Sequence, residues 1–432
     1  MPAHSSHLIS VMSDANPPKP AGCDEYDSSL LTVEQAQSRI MALATAIAQT
    51  ETRAIRDALG HVLAESITSP INVPPDANSA MDGYAVRATD LPASGDTTLS
   101  VIGTAWAGRP YAGEVGDGQC VRIMTGAKMP AGVDTVIMQE QVQRQDDRIT
   151  IGAGHTARQN VRYPGEDIAE GSIVLHAGQL IGPAELGLLA SLGIAQVTTH
   201  RQLRVAFFST GDELQPVGTK LDAGQIYDSN RYTLHGMLTQ LGVEVIDMGV
   251  VRDEPAAIEA AFTQAAQQAD AIITSGGVSV GEADFTKTTL DKLGQVDFWR
   301  IAMKPGKPLA IGKIKNALFF GLPGNPVSVM ATFYLFALPA LRQMMGQTVT
   351  APLHVTAISQ QMLKKRPGRM DFQRGVLSNE NGQLMVNAAG IQASHILSGM
   401  SQANCFIVLP LESGNVEAGT EVDVLPFHGL IS

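Results

Sequence analysis

The chain has 432 residues, a length that is too great for one hydrophobic core and predicts roughly two to four domains. Its 44% apolar and 17% charged residues are typical of a globular protein, and its formal net charge of −12 argues against nucleic acid or an anionic membrane as a general partner. Three widely spaced cysteines, Cys23, Cys120 and Cys405, form neither a disulfide framework nor a metal cluster, which predicts a cytoplasmic location.

The beginning of the chain predicts a leader followed by a helix. Residues 1–29 have no basic start followed by an apolar core, so they predict a disordered leader and not a secretory signal. Thr32 followed by Gln35 resembles a capping box, and apolar residues from Val33 to Ile47 recur at helical spacing. A helix is therefore expected directly after the leader.

Two regions of short strands are predicted. Short apolar runs separated by Pro, Gly and Asp fill residues 72–164 and predict a β-rich domain. Residues 30–71 and 165–202 flank it, and they are expected to form one discontinuous connecting domain. Residues 352–432 contain several short strands and an Asn-Gly turn, which predicts a small β-barrel-like or sandwich domain.

Between these regions, residues 203–351 alternate apolar runs with helical patterns. This alternation predicts a mostly parallel sheet with helices on both faces, so the fold class is multidomain α/β. In such sheets, ligands bind outside the carboxyl ends of the strands. The longest uncharged stretch, VSVMATFYLFALPAL, is interrupted by Pro339 and short for a membrane span, which predicts a buried helix and no membrane contact.

Groups suited to binding anions follow several predicted strands of this region. Gly276 and Gly277 would let backbone amides approach a phosphate closely, and Lys304 and Lys307 would add positive charge. In a chain that is acidic overall, an anionic ligand has to be bound by such local groups.

The segment GLPGNPVS predicts a helix start at the same edge of the sheet. Asn325 is a natural N-cap and Pro326 suits the first helical position, so free N–H groups of this helix would point at the strand edge. Helix N-termini bind oxyanions well. Together with the glycines and lysines, this segment predicts a site for a phosphorylated ligand.

Carboxylates are predicted at the same edge and need a separate explanation. Glu213, Asp253 and Asp284 each follow a predicted strand, and beside a phosphate they would repel it. A hard cation resolves this conflict, because Mg²⁺ prefers oxygen ligands and is commonly held by one or two carboxylates plus substrate phosphates. We therefore expect Mg²⁺ as the cofactor.

Each motif alone also has a purely structural interpretation. The two glycines could form a strand-to-helix turn, Asp253 and Asp284 could cap helices, and KPGKP could be a turn with solvated lysines. Asp82-Gly83 could form a hairpin turn. Only the coincidence of these motifs at one sheet edge favours a binding site.

Eight motifs, taken together and in order, resemble those of the molybdopterin molybdenumtransferases, the family that includes the gephyrin E-domain. The resemblance covers nearly the whole chain from about residue 30. The motifs are NSAMDGYAV (78–86), RIMTGA (122–127), STGDEL (209–214), YDSN (227–230), SGGVSVGEADF (275–285), MKPGKP (303–308), GLPGNPVS (321–328) and ASHI (393–396). The chain departs from the family in its leader and at Ala393, where the family often has glycine.

The resemblance implies the last step of molybdenum cofactor assembly, in which adenylylated molybdopterin and molybdate give molybdenum cofactor and AMP. This implied substrate contains a pyrophosphate, and molybdate is a second oxyanion. One sheet edge would then have to hold two anions and a divalent metal. The resemblance also implies an elongated homodimer, with the connecting domain taking part in dimerisation.

Roles for individual residues follow from the matching motifs. The resemblance implies that Asp284, Glu213 and Asp253 are catalytic acids, and that Asp284 and Glu213 hold the metal. It also implies that Asp82 and Thr125 of the β-rich domain matter for catalysis. The implied substrate-binding residues are Gly276, Gly277, Ser279, Lys304, Lys307, Pro323, Asn325, Pro326, Ser328, Arg369 and Ser394, the last two from the C-terminal domain.

Two other functions remain as alternatives. One is molybdopterin adenylyltransferase, which shares the parallel-sheet domain, although the long N-terminal half and the C-terminal β domain argue against it. The other is a non-catalytic scaffold of the same fold, which would not need the intact acids and lysines. For the favoured function we also expect transient contact with molybdopterin adenylyltransferase and with molybdoenzyme maturation proteins. We expect neither nucleic acid nor a membrane as a partner.

Overall fold

The computed structural model of the chain describes residues 30–276, 289–290 and 292–427. These residues divide into two compact units. Unit 1 takes its described residues from Met1–Thr45, Leu203–Gln343 and Val349–Ser432, and unit 2 consists of Ala46–Gln202 and Met344–Thr348. Each unit has its own buried clusters of apolar side chains.

Unit 1 contains a six-stranded sheet that confirms the predicted α/β fold class. In spatial order its strands are Glu244–Val251, Arg204–Thr210, Ala271–Ser275, Ala317–Leu322, Pro308–Ile314 and Gly294–Arg300. The first four strands pair in parallel. Strand Pro308–Ile314 pairs antiparallel with both of its neighbours, Ala317–Leu322 and Gly294–Arg300. The strands at the centre read as continuous apolar runs, because both of their faces are covered.

Helices cover this sheet on both faces. Neighbouring side chains of a strand point to opposite faces. Phe208 contacts Phe262, with 5.1 Å between ring centroids, whereas Phe207 lies 6.5 Å from the ring of His235. The rings of Phe262 and His235 belong to different helices, so each face packs against one of them. The helices of unit 1 are Val33–Leu43, Ser229–Leu241, Pro255–Gln268, Pro326–Thr332, the π-helical turn Phe333–Ala337, Leu338–Met344 and Ser398–Gln402.

Two predicted helical features are confirmed in unit 1. Thr32 and Gln35 form the capping box, since each side chain accepts a hydrogen bond from the backbone N–H of the other, at 3.2 and 3.0 Å. In the described residues, the helix Pro326–Met344 is long and apolar enough to cross a membrane by length and composition, but 72% of its apolar window is buried in the protein. Such burial is typical of a core helix.

The C-terminal part of unit 1 is a closed five-stranded barrel. Each strand pairs with two others around the ring, which leaves no free sheet edge. The Asn-Gly turn predicted from the sequence closes one hairpin, and both Asn381 and Gly382 have positive φ angles of 52° and 85°. The strands are Val355–Ser359, Met370–Glu380, Gln383–Ala388, Cys405–Leu409 and Glu421–Pro426.

Unit 2 is built around a second six-stranded sheet. In spatial order its strands are Thr135–Met138, Gly83–Val86, Gln119–Ile123, Asp96–Ala105, Arg148–Gly152 and Val142–Gln145. Short strands pair elsewhere in the unit across long sequence distances: Thr50–Ala54 with Gln196–His200, Ile67–Thr68 with Ile173–Leu175, and Asn78–Ser79 with Val161–Arg162. The helix Pro183–Ser191 completes it.

The hairpin interpretation of Asp82-Gly83 is wrong. The strand before this turn, Asn78–Ser79, pairs with Val161–Arg162. The strand after it, Gly83–Val86, pairs with two other strands of the large sheet. The turn therefore carries the chain from one sheet to another, and it does not fold a strand back on its neighbour.

Candidate functional site

Three parallel strands of unit 1 end together at the edge where a ligand is expected. Ser275 lies opposite Ser209 on one side and Leu322 on the other. Gly276 follows with a φ of 89°, and a Cβ at this position would lie 2.8 Å from the carbonyl oxygen of Thr210. Only glycine fits there without displacing the neighbouring strand, so the chain turns tightly at the predicted anion-binding position.

A cavity of about 550 Å³ lies beside the segment that follows strand Ala317–Leu322, and its lining also comes from the segment before strand Pro308–Ile314 and from loops of the C-terminal barrel. It brings together cationic side chains with hydroxyl and amide groups. Seven of the predicted substrate-binding residues line it: Lys304, Lys307, Pro323, Asn325, Ser328, Arg369 and Ser394. We call this space the oxyanion cavity, because cations and hydroxyl donors are the groups that hold an oxyanion.

The helix start beside the cavity differs in part from the prediction. Asn325 takes the N-cap position and Pro326 the first helical position, as predicted. The Asn325 side chain does not cap, however, and donates a hydrogen bond to Ser394 Oγ at 3.1 Å. The N–H of Val327 donates to the carbonyl oxygen of Ser394 at 3.1 Å. This N–H is therefore not free for a ligand, and the helix start is attached to the loop that carries Ser394.

Arg374 fixes that loop, and its role has no local signal in the sequence. Its side chain is fully buried, with 1% exposure. The guanidinium donates to the backbone oxygens of Ile391, Ala393 and Ile396, at 2.5, 3.1 and 2.9 Å. Burial lowers the pKa of Arg374. Three carbonyls of one loop are thus held by a single cation, which sets the position of Ser394.

A second cavity, of about 590 Å³, shares Lys304 and Arg369 with the first. Asp371, whose side chain is 7% exposed, lies 3.7 Å from the Lys304 ammonium. Lys365 donates to the carbonyl oxygen of Ser413 at 2.8 Å, and burial lowers its pKa. The segment KKRPGR supplies most of this charge, and sequence reasoning selected only Arg369 from it. The cavity residues are Lys304, Lys364, Lys365, Arg366, Arg369, Asp371 and Asn415.

The predicted acids are only partly described. Glu213 and Asp253 are exposed on turns that follow their strands, and the Asp253 N–H donates to Asp212 Oδ1 at 3.4 Å, which brings the two turns together. Asp284, like Gly277 and Ser279, lies outside the described residues.

Of the two acids that the resemblance assigns to the metal, only Glu213 is described. Within the part of the chain that the structure covers, no group of three or more His, Cys, Asp or Glu residues is placed to hold a metal. Mg²⁺ keeps several waters and takes only one or two carboxylates together with substrate phosphates. The exposed carboxylate of Glu213, at the strand edge, fits that pattern.

Unit 2 brings Asp82 and Thr125 together. The backbone N–H and the hydroxyl of Thr125 both donate to Asp82 Oδ1 at 2.7 Å. The N–H bond first, and then the hydroxyl bond, lower the pKa of the Asp82 carboxyl below its usual value. The register of the sheet explains this pairing, because Gly83 lies opposite Ile123, and Asp82 and Thr125 lie one and two residues beyond this pair at the same edge.

Replacing Thr125 with valine is expected to raise the pKa of Asp82 part of the way to its ordinary value. The hydroxyl bond is lost, but the backbone N–H bond, which is the larger cause of the lowered pKa, remains. An NMR pH titration of the Asp82 carboxyl measures this change. Thr125→Ser keeps a hydroxyl and serves as the control. An unchanged pKa in Thr125→Val would show that the hydroxyl bond is unimportant.

Three families match consecutive parts of the chain. The "MoeA N-terminal region (domain I and II)" matches residues 31–193, the "Probable molybdopterin binding domain" matches residues 206–343, and the "MoeA C-terminal region (domain IV)" matches residues 356–427. A molybdopterin molybdenumtransferase of Haemophilus influenzae is 51% identical over 405 residues, which span 93% of this chain and 100% of that protein. The chain belongs to the molybdopterin molybdenumtransferase family.

Further members and solved structures agree with this assignment. Molybdopterin molybdenumtransferase 2 of Mycobacterium tuberculosis is 35% identical over 90% of this chain and 98% of that protein. The crystal structure of a molybdopterin biosynthesis moeA protein from Pyrococcus horikoshii OT3 matches with a TM-score of 0.81 and 29% identity, over 92% of this chain and 100% of that one. The structural match to the Pyrococcus horikoshii protein thus extends over nearly the whole of both chains.

Proposed function

We propose that the chain inserts molybdenum from molybdate into adenylylated molybdopterin, with Mg²⁺-dependent release of AMP. The observation that carries the proposal is the oxyanion cavity, where seven substrate-binding positions implied by the family lie together. It is further supported by the 51% identity to a curated molybdopterin molybdenumtransferase over nearly the full length of both chains.

The charges around the cavity suit this reaction. Both the pyrophosphate of the substrate and molybdate are anions that accept hydrogen bonds but cannot donate them when fully ionised. Lys304, Lys307 and Arg369 supply positive charge beside the cavity in a chain whose formal net charge is −12. Ser328 and Ser394 add hydroxyl donors. Local cations of this kind attract an anion that the protein as a whole would repel.

The acids at the strand edge are the proposed ligands of Mg²⁺. Glu213 is exposed at this edge. In the sequence, Asp284 comes after strand Ala271–Ser275 of the same sheet. When bound, Mg²⁺ neutralises charge on the pyrophosphate and makes its cleavage easier. In this proposal Glu213 and Asp284 hold the ion, and Asp253 supports the same edge.

The proposal extends to the state of the protein in the cell. We infer a homodimer in the cytoplasm, with transient contact to molybdopterin adenylyltransferase and to molybdoenzyme maturation proteins. The cytoplasmic location is supported by Cys120 and Cys405, which are free and buried, and burial raises the pKa of each thiol to about 12. Such thiols are inert, as expected of structural cysteines in a reducing compartment.

AMP release from adenylylated molybdopterin tests the function directly. Release that requires both Mg²⁺ and molybdate supports the proposal. If AMP is released without molybdate, the reaction is a simple hydrolysis and the proposal fails. If no AMP is released with both ions present, the scaffold interpretation replaces it.

Replacing both Lys304 and Lys307 with alanine is expected to raise the molybdate concentration for half-maximal turnover by about tenfold or more, because charged hydrogen bonds of this kind are each commonly worth that factor. A thermal melt accompanies the assay, because Lys304 is 47% exposed but its partner Asp371 is only 7% exposed and loses its ammonium neighbour in this variant. Molybdate titration of AMP release measures the effect. Lys313→Ala, an exposed lysine on the same sheet, is the control. An unchanged molybdate requirement would favour solvated lysines in a simple turn.

A further inference from the structure

Three buried acceptor or hydroxyl atoms without hydrogen-bond partners lie near one end of the parallel sheet. In the described part of the chain, eight buried side-chain nitrogen or oxygen atoms have no partner, and three of them are Thr210 Oγ1, Asp228 Oδ2 and Asn230 Oδ1. Leaving such an atom unpaired costs about 1–3 kcal/mol, so native proteins keep few of them. Three in one neighbourhood call for a common explanation.

The contacts around Gly276 connect two of these atoms. Thr210 Oγ1 lies 3.4 Å from the position that a Cβ of Gly276 would take, and a Cβ of Gly324 would lie 3.8 Å from Gly276 Cα. Asn230 donates its Nδ2–H to the carbonyl oxygen of Gly324 at 2.7 Å. Thr210 and Asn230 are only half-buried as residues, and the two glycines between them carry no side chains. Thr210 and Asn230 are therefore neighbours at this end of the sheet, separated by Gly276 and Gly324.

Asp228 lies two residues before Asn230 and is 3% exposed. It caps the helix Ser229–Leu241, because its Oδ1 accepts a hydrogen bond from the Arg231 N–H at 3.1 Å. Capping uses only this oxygen, and a neutral asparagine or serine would serve equally well. The second oxygen, Asp228 Oδ2, takes no part in the cap and has no other hydrogen-bond partner.

The chemistry of the three atoms restricts what can pair with them. Asp228 Oδ2 and Asn230 Oδ1 only accept hydrogen bonds, and the Thr210 hydroxyl can do either. Phosphate and molybdate oxygens are acceptors too, and a carboxylate would repel them. The matching ligand group must carry N–H or O–H donors.

We propose that Thr210, Asp228 and Asn230 form a subsite for the hydrogen-bond donors of the organic part of the substrate. The inference rests on the proposed function, whose substrate has two groups of such donors: the ribose hydroxyls of its adenylyl part, and the amino and ring N–H groups of its pterin. The subsite orients this part of the substrate, while the oxyanion cavity holds anionic groups.

Calorimetric titration of the full-length protein with AMP and, separately, with pterin-6-carboxylate tests the subsite. Asp228→Asn keeps a good helix cap and replaces the charged acceptor. It is expected to raise the Kd of one probe at least about tenfold, because a hydrogen bond to a charged group is commonly worth that factor or more. The probe that is affected identifies which donors the subsite binds. Thr210→Val should weaken the same probe.

Two controls separate binding from folding. Asp228→Ala loses the cap as well, so its melting temperature should fall below that of Asp228→Asn, which should stay near wild type. Glu244→Gln removes an exposed carboxylate from the opposite end of the sheet and should leave both Kd values unchanged. The inference is overturned if Asp228→Asn binds both probes as wild type does, or if wild type binds neither. Failure of the proposed function is distinct, because it would appear as absent AMP release by the wild type.

Discussion

Asp284→Ala is expected to abolish AMP release from adenylylated molybdopterin and to leave thermal stability near wild type. The family resemblance assigns this acid to the metal, and the pyrophosphate next to it would carry uncompensated charge once the ion is lost. Charge stabilisation of this kind is usually the largest single contribution to catalysis, and loss of one such group commonly costs about 100-fold to 1000-fold in rate. The measurement pairs single-turnover AMP release with a thermal melt.

The competing role for Asp284 is that of a helix cap, and the two roles predict different results. Loss of a cap costs about 1 kcal/mol of stability and leaves the chemistry intact. Asp297→Ala removes an exposed carboxylate from the edge strand of the same sheet and controls for the change in net charge. Full activity of Asp284→Ala would remove this residue from the mechanism, and a variant that unfolds would support the capping role.

Features set by nearby residues were predictable from the sequence. The alternation of apolar runs and helical patterns predicts the fold class because each βα unit follows from its own periodicity. The capping box at Thr32 and Gln35, the Asn381-Gly382 turn and the position of Pro326 at a helix start depend on residues within one turn of the chain. The structure confirms all of these features.

Features set by distant residues were not predictable in this way. Ser394 is 69 residues from Asn325, and their hydrogen bond replaces the cap that the local sequence favours. Arg374 is an arginine inside a barrel strand, and only the closed barrel brings the carbonyls of the loop around it. Asp82 and Thr125 meet because two strands pair in one register, which their separation of 43 residues does not indicate.

The candidate site likewise contains residues that the sequence predicts and supporting residues that it does not. Its residues were selected from motifs, and Lys304, Ser328 and Arg369 do line one cavity. Other side chains hold these residues in place: Asp371 lies beside Lys304, and Arg374 binds the loop that contains Ser394. Both belong to the barrel, and neither lies in a recognisable motif. Motifs select candidate ligand-binding residues, whereas the contacts that support those residues depend on tertiary packing.

Mixing two inactive variants is expected to restore roughly a quarter of wild-type activity, if each active site takes Asp82 from one subunit and Asp284 from the other. Asp82→Ala and Asp284→Ala should each be inactive alone, because every site in either homodimer lacks one group. When subunits exchange freely, about half of the dimers contain one copy of each variant. One of the two sites in such a dimer is intact, and half of the dimers with half of their sites give about one quarter.

The same experiment distinguishes an active site shared between two subunits from one that lies within a single subunit. If Asp82 and Asp284 of one chain serve the same site, every site in a mixed dimer still lacks one of them, and activity stays at the level of the single variants. Carrying different affinity tags on the two variants shows by co-purification that mixed dimers have formed. With exchange demonstrated in this way, an inactive mixture contradicts the shared site, since the loss cannot then be attributed to subunits that failed to exchange.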